Sequence, residues 1–240
     1  GLLRLVLAAG VILVHTGNAQ ISLAGGRGSV ECFFVISGYY MGLVITSRYS
    51  KLGDRWWITF FTSRLWRLYP IYALSVLFTI LALLVANGST QPQHADPMRT
   101  PEHLSMPTVL AAIFSNTLII GQDIITFCGI NETGDLFFTK YFWVEDNPAH
   151  TLLLVPQAWS ISIELGFYLL APLLVKLRTA WLSLVIAASV FVKLLLLCLS
   201  FGLDPWTYRF FPSELGLFAF GILMHRVSAS ITPNRRLATA

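Results

Sequence analysis

The feature that most constrains this chain is a series of apolar runs, nearly free of charge, that approach the length of a bilayer crossing. A transmembrane helix takes roughly 20 apolar residues, with a range near 17–25. Runs of this kind lie near residues 2–16, 30–46, 71–86, 152–175, 181–201 and 210–225 of a 240-residue chain. The composition agrees: 55% of residues are hydrophobic and 12% are charged, with a mean hydropathy of +0.69. A soluble domain is about a quarter charged. A disordered chain, a collagen-like chain and a water-soluble globular domain are therefore excluded. The expected fold is all-α, a polytopic transmembrane helical bundle with six spans in one domain over residues 1–240. A further run at 108–120 is short and carries Ser115 and Asn116 in its middle. It is expected as a half-span or interfacial helix whose backbone is buried against protein.

The net charge of +4 forms no solvated basic patch, and no nucleic-acid partner is expected. Ten of the 16 Lys and Arg residues fall in three stretches. These are Arg48, Lys51, Arg55, Arg64 and Arg67 after the second span, Lys176 and Arg178 after the fourth, and Arg226, Arg235 and Arg236 after the sixth. All three stretches share one side if 108–120 does not cross, and the positive-inside rule makes that side cytoplasmic. The N-terminus is then cytoplasmic, and the protein sits in the cell (inner or plasma) membrane as a multi-pass component. Residues 20–29, 87–107, 121–150 and 202–208 fall outside; within 121–150, Asp123, Glu132, Asp135, Glu145 and Asp146 outnumber Lys140. Four prolines mark 92–107 as a loop. Residues 1–17 lack the cleavage site of a signal peptide. Cys32, Cys128 and Cys198 show no CxxC spacing and the histidines no HxxxH or HExxH spacing, so neither a metal site nor a disulfide framework is expected.

Ionisable residues inside spans cost about 2.5–3.5 kcal/mol each on insertion scales and persist when paired or functional. Here they are Arg4, His15, Glu31, Glu164, Lys193, Arg209 and Glu214. Arg4 and His15 are close to three turns apart, so they share a helix face and stand about 16 Å apart along its axis. That face carries a fixed cation at inner depth and a titratable base near the outer surface. An equally good reading has Arg4 snorkelling to lipid phosphates and His15 ending the helix in the interface.

Glu31 opens the second span at the depth of His15, where a carboxylate would hold the imidazole in one tautomer. A negative charge satisfying a helix N-terminus is the plainer alternative. Glu164 lies well inside the fourth span, with Ser160 and Phe167-Tyr168 on neighbouring positions of its face. A buried carboxylate is neutral or paired, and Arg4 or His15 are its natural partners. Lys193 lies mid-span and needs a carboxylate, a lumen or neutralisation, with Glu214 one candidate partner. Arg209 begins the sixth span as an anchor. In the stretch from Trp56 to Pro70, Arg64 and Arg67 share a helical face suited to clamping a phosphate. An interfacial helix with an aromatic belt accounts for most of the same pattern.

Four motifs in order carry a family resemblance. They are Arg4-x10-His15; Gly28-Ser29-Val30-Glu31-Cys32-Phe33-Phe34-Val35-Ile36-Ser37-Gly38-Tyr39; Phe61-x2-Arg64-x2-Arg67-Leu68-Tyr69-Pro70-x-Tyr72; and Trp159-Ser160-Ile161-Ser162-Ile163-Glu164-x2-Phe167-Tyr168-Leu169-Leu170-x-Pro172. The chain resembles the acyltransferase type 3 family of integral-membrane O-acyltransferases over about residues 1–225, with Arg209-Phe210-Phe211-Pro212 and Gly221 similar to a later family segment. Family members carry further C-terminal spans, so the resemblance implies a fragment shortened at that end.

The resemblance implies transfer of an acyl group, commonly acetyl, from a cytoplasmic acyl-CoA to a hydroxyl of a carbohydrate or glycolipid acceptor of the cell envelope. No bound cofactor is implied; acyl-CoA is a co-substrate. His15 is similar to the family's essential histidine, Arg4 to its arginine partner, Arg64 and Arg67 to its cytoplasmic arginine pair, and Glu164 to its intramembrane acid. Glu31 occupies a position where acids are frequent, and Ser37, Trp159, Ser160 and Tyr168 support the site.

A rival expectation, from another class, is a multi-pass transporter using Glu164, Lys193 and Glu214 as a proton relay. Transporters of that kind often show paired repeats, and none is visible in this sequence. A third reading treats the polar residues as interhelical glue alone.

Overall fold

The computed structural model describes residues 2–15, 25–85, 103–202 and 204–231, without the side chains of Leu2 and His15. The helices are α1 (Leu2–His15), α2 (Gly25–Ser47), α3 (Trp56–Val85), α4 (Met106–Leu118), α5 (Gln122–Ile125), α6 (Trp159–Lys176), α7 (Thr179–Cys198) and α8 (Phe211–Ile231). Two short strands, β1 (Cys128–Ile130) and β2 (Leu136–Phe138), pair antiparallel with Gly129 opposite Phe137. The protein is a helical bundle with five helices long and apolar enough to cross a membrane: Gly25–Lys51, Trp56–Val85, Pro156–Lys176, Thr179–Cys198 and Phe211–Ile231. Of the six expected spans, the first is a 14-residue helix among the described residues. The loop expected at 92–107 and the basic tail at Arg235 and Arg236 fall largely or wholly outside the described residues.

Several boundaries differ from the sequence expectation: α6 starts at Trp159 rather than near 152, α8 runs to Ile231 rather than 225, and two helix starts differ for reasons visible in the packing. The stretch 56–70 and the span 71–86 are one 30-residue helix that runs through Pro70. A proline removes one ladder hydrogen bond, and in a long apolar helix the surrounding ladder holds the segment together. Most of its second half is apolar and exposed, as expected of a face turned to lipid, with Tyr72 buried. The second span begins at Gly25 rather than near residue 30, despite glycines at 25, 26 and 28. Gly26 packs against the Val14 side chain of α1, and this contact between neighbouring helices outweighs the weak helix propensity of glycine.

The chain divides into two compact units. The first holds α1, α2, the start of α3, the later part of α6, most of α7, and α8. Its centre is the crossing of α2 and α8. A Cβ on Gly38 would overlap the Phe218 carbonyl, and a Cβ on Gly221 would overlap the Val35 carbonyl. Small residues on both helices thus let the backbones meet, the usual way membrane helices pack closely. Phe218 stacks on Phe167 with ring centroids 4.0 Å apart and lies 4.8 Å from Phe34. Helices α7 and α8 are clamped by Ser189, whose hydroxyl lies 2.8 Å from the Pro212 carbonyl and 3.0 Å from the Ser213 carbonyl and accepts the Gly216 amide at 2.8 Å. Arg226 donates to the carbonyls of Val175 at 2.9 Å and Leu177 at 2.7 Å, satisfying the end of α6.

The second unit holds most of α3, α4, α5, the hairpin and the start of α6. Of the polar pair in the middle of the short run, Ser115 is buried and Asn116 half-buried, and both are hydrogen-bonded. Asn116 donates to the Leu152 carbonyl at 2.9 Å and accepts the Leu154 amide at 2.8 Å, while its own carbonyl accepts the Tyr72 hydroxyl at 2.6 Å. Tyr69 donates likewise to the Thr117 carbonyl. Gln122, fully buried, donates to the Tyr72 hydroxyl at 2.7 Å and to the Ser115 carbonyl at 3.1 Å. The segment 121–150 is therefore folded: Ile125, Cys128, Ile130, Ala149 and Leu153 form a small apolar core of their own.

Candidate active site

Arg4, His15, Glu31, Ser37 and Tyr168 belong to the first unit, and Arg64, Arg67, Trp159, Ser160 and Glu164 to the second. In the first, the Arg4 guanidinium lies 4.8 Å over the Tyr40 ring of α2, a cation–π contact that holds a cation among apolar neighbours. The Nε of Arg4 has no hydrogen-bond partner among the described residues, so donor capacity remains on that head group. His15 is the last residue of α1, and its side chain lies outside the description. Because Val14 packs on Gly26, that end of α1 stands beside the first turn of α2.

Glu31 lies in the second turn of α2, where Arg27 Nε donates to its Oε1 at 3.2 Å across one helical turn. Lys193 Nζ donates to the same oxygen at 3.1 Å and to Glu214 Oε1 at 2.9 Å. The mid-span lysine therefore has two carboxylate partners, from α2 and from α8. Glu214 is fully buried, and its Oε2 has no hydrogen-bond partner among the described residues. Ser37 is buried on α2 next to Gly38 at the α8 crossing. Tyr168 is buried against Phe60 and Phe167, with centroids 6.3 and 6.2 Å away.

In the second unit, Arg64 is buried and Arg67, one turn on, is exposed. The two arginines expected to act as a pair therefore have different surroundings. Trp159 starts α6 with its ring 4.9 Å from Tyr208 and the Arg209 guanidinium 4.8 Å above it. Arg209 also lies 5.0 Å from the Phe142 ring and is bidentate to Asp204, at 2.7 and 2.9 Å. More than a surface anchor, it joins the loop before α8 to the start of α6 and to the turn at Phe142. Ser160 donates to the Gln157 carbonyl at 3.2 Å, and Glu164, four residues on, is half-buried on α6.

Ser162 of α6 donates to Asp123 Oδ1, which lies outside the spans, at 2.6 Å and accepts the Gly121 amide at 3.0 Å, fastening the short α5 to α6. Burial raises the Asp123 carboxyl above its ordinary value, against the opposing pull of the Ser162 hydrogen bond. Burial likewise pushes the Cys128 thiol up to about 11, so it is an inert packing residue. Hydrogen bonds from Ser105 and Thr133 lower the exposed Asp135.

The sequence reading did not single out Arg27 or the Asp123–Ser162 pair. The first was legible as an Arg-x3-Glu spacing on a helix. The second joins residues 39 positions apart and has no local signature.

The model of the acyltransferase domain family matches residues 1–240. The chain is 32% identical over 175 residues to O-acetyltransferase OatA of Staphylococcus aureus strain NCTC 8325 / PS 47, covering 72% of this chain and 24% of that protein. The same figures hold for OatA of strains COL and MRSA252. The chain thus spans about a quarter of the length of these curated relatives. No solved structure matches it. Matched over its whole length, with its four ordered motifs on the helices of a membrane bundle, the chain belongs to the acyltransferase type 3 family.

Proposed function

We propose that the protein moves an acetyl group from a cytoplasmic acetyl-CoA to a hydroxyl of a carbohydrate or glycolipid acceptor at the cell envelope. The observation that carries this reading is the likeness to the OatA relatives, named O-acetyltransferases, over the region bearing the four motifs. In this reading Arg64, Arg67 and Arg4 meet the anionic donor, since guanidinium groups match phosphate oxygens with fork geometry. His15 acts as general base on the acceptor hydroxyl, a role for which an imidazole is suited near neutral pH. The deprotonated oxygen attacks the thioester carbonyl, the carbon–sulfur bond breaks, and the imidazolium returns its proton to the thiolate. Glu31 orients and stabilises the imidazolium, Glu164 serves as the intramembrane acid, and Ser37, Trp159, Ser160 and Tyr168 have supporting roles. Attack by His15 itself, through an acyl-histidine, is the variant of the same chemistry.

The membrane is the cell membrane and the N-terminus is cytoplasmic, as the distribution of Lys and Arg supports. The test is transfer of radiolabelled acetyl by the purified protein in proteoliposomes, with His15→Ala and Glu164→Gln as variants. Transfer is expected to be lost in both while folded protein is retained; unchanged transfer in His15→Ala defeats the mechanism. A transporter is the second reading, favoured by the Lys193 ammonium held between two carboxylates in helices long enough to span. Substrate flux in proteoliposomes without any acyl donor would revive it.

A further inference from the structure

Lys193 lies inside the second half of α7, flanked by Val192 and Leu194, in a helix that is apolar on every side. An ammonium there is strongly disfavoured unless paired, and its two partners come from two other helices. Packing alone does not require it. One turn earlier on α7, Ser189 already ties α7 to α8 through two carbonyls and an amide without any charge. Buried ion pairs, moreover, are often no more stabilising than well-packed apolar residues of the same size. What Lys193 does that Ser189 does not is reach Glu31 on α2.

Two cations, Arg27 and Lys193, converge on Glu31 Oε1. Glu31 Oε2 takes part in neither bond, and the Glu31 side chain is 27% exposed. Glu31 lies about 7.5 Å along the α2 axis from Gly26, the residue beside the His15 end of α1. Glu214 in turn holds Lys193 from α8, so that two carboxylates balance two cations within one unit.

We infer that Lys193, backed by Glu214, is a positioning residue: it holds Glu31 Oε1 in an ion pair, so that Oε2 is the accepting oxygen presented at the His15 end of α1. The inference rests on the reading of the protein as an acyltransferase in which Glu31 serves His15.

The experiment uses the protein in proteoliposomes and two readouts. Dicyclohexylcarbodiimide modifies protonated carboxyls within membranes, and mass spectrometry locates the adduct; acetyl transfer supplies kcat and the donor KM. Lys193→Met should raise labelling of Glu31 several-fold and lower kcat by about tenfold or more with the donor KM unchanged, as expected when a catalytic group is misplaced. Lys193→Arg should restore both, and Glu214→Gln, which keeps the shape and one oxygen for Lys193, should fall between. Ser189→Ala should lower thermal stability while leaving Glu31 labelling and kcat at wild-type values. Wild-type labelling of Glu31 in Lys193→Met overturns the inference. So does equal labelling in Ser189→Ala, which would make the effect general loosening, or a Lys193→Met protein with raised labelling and normal kcat. A wild-type protein that transfers no acyl group overturns the acyltransferase reading instead, and the labelling still decides whether Lys193 controls Glu31.

Discussion

Gly38 of α2 lies so close to Phe218 of α8 that the backbone carbonyl of Phe218 occupies the space a side chain at position 38 would need. The obstacle is backbone rather than the end of a flexible side chain, so the helices themselves must separate to admit a methyl group. Gly38→Ala should lower the unfolding free energy by about 3 kcal/mol, the upper end of overpacking costs. Thermal unfolding in detergent measures it; a Tm equal to wild type would show that α2 and α8 are farther apart.

The Arg209 guanidinium pairs in bidentate fashion with Asp204 and lies over the Phe142 and Trp159 rings. A lysine reproduces the charge but neither the fork nor the flat stacking surface. Arg209→Lys should therefore destabilise by about 1–2 kcal/mol, comparable to losing a charge-assisted hydrogen bond. A double-mutant cycle with Asp204→Ala checks this, the expected result being a coupling energy well above that of a surface pair.

Asn116 closes a two-bond link to the chain at Leu152 and Leu154. Replacing it by alanine leaves a partly buried carbonyl and amide unpaired, at a cost of about 1–3 kcal/mol. Hydrogen exchange at the Leu154 amide should accelerate in Asn116→Ala by more than at the ends of α4. Equal protection in both proteins would place the amide on another acceptor.

The Asp123 carboxyl is raised by burial, so the folded state binds its proton more tightly than the unfolded chain does. Between the ordinary carboxylate value and the raised one, the folded state carries a proton that the unfolded state has released. Stability contributed by this group therefore falls as pH rises through that window. Asp123→Asn, which mimics the neutral form, should remove that slope, and Ser162→Ala should extend the window upward by deleting the opposing hydrogen bond. The lowered Asp135 acts with the opposite sign and at lower pH: its stability contribution is lost as pH falls through its folded-state value. Tm measured across mildly acidic pH for the single variants separates the two.

The class of fold was legible because a long apolar run with few charges has few alternatives to a membrane span. The partial exception at 108–120 was legible for the same reason, since Ser115 and Asn116 cannot be left unpaired in hydrocarbon. What was not legible was their partners: Asn116 meets backbone groups 36 and 38 positions away. The helices start at Gly25 and Trp56, ahead of the apolar runs at 30–46 and 71–86, because packing of Gly26 on Val14 and the continuity of a long helix prevail over local preference. Arg64 and Arg67 share a sequence motif, yet one is buried and the other exposed, a distinction that spacing on a helix does not contain.

Local sequence suffices to show that the chain is a helical membrane protein and which family its motifs resemble. These follow from local quantities: the free energy of placing each side chain in hydrocarbon, the 3.6-residue helical repeat, and residue order. The tertiary structure decided which charge answers which. Lys193 and Glu31 are 162 residues apart, yet the ammonium lies 3.1 Å from Glu31 and 2.9 Å from Glu214, because α2 and α8 approach through glycine and bring both carboxylates within reach of α7. Pairing of that kind depends on helix packing, which summed side-chain preferences along one chain do not encode one residue at a time.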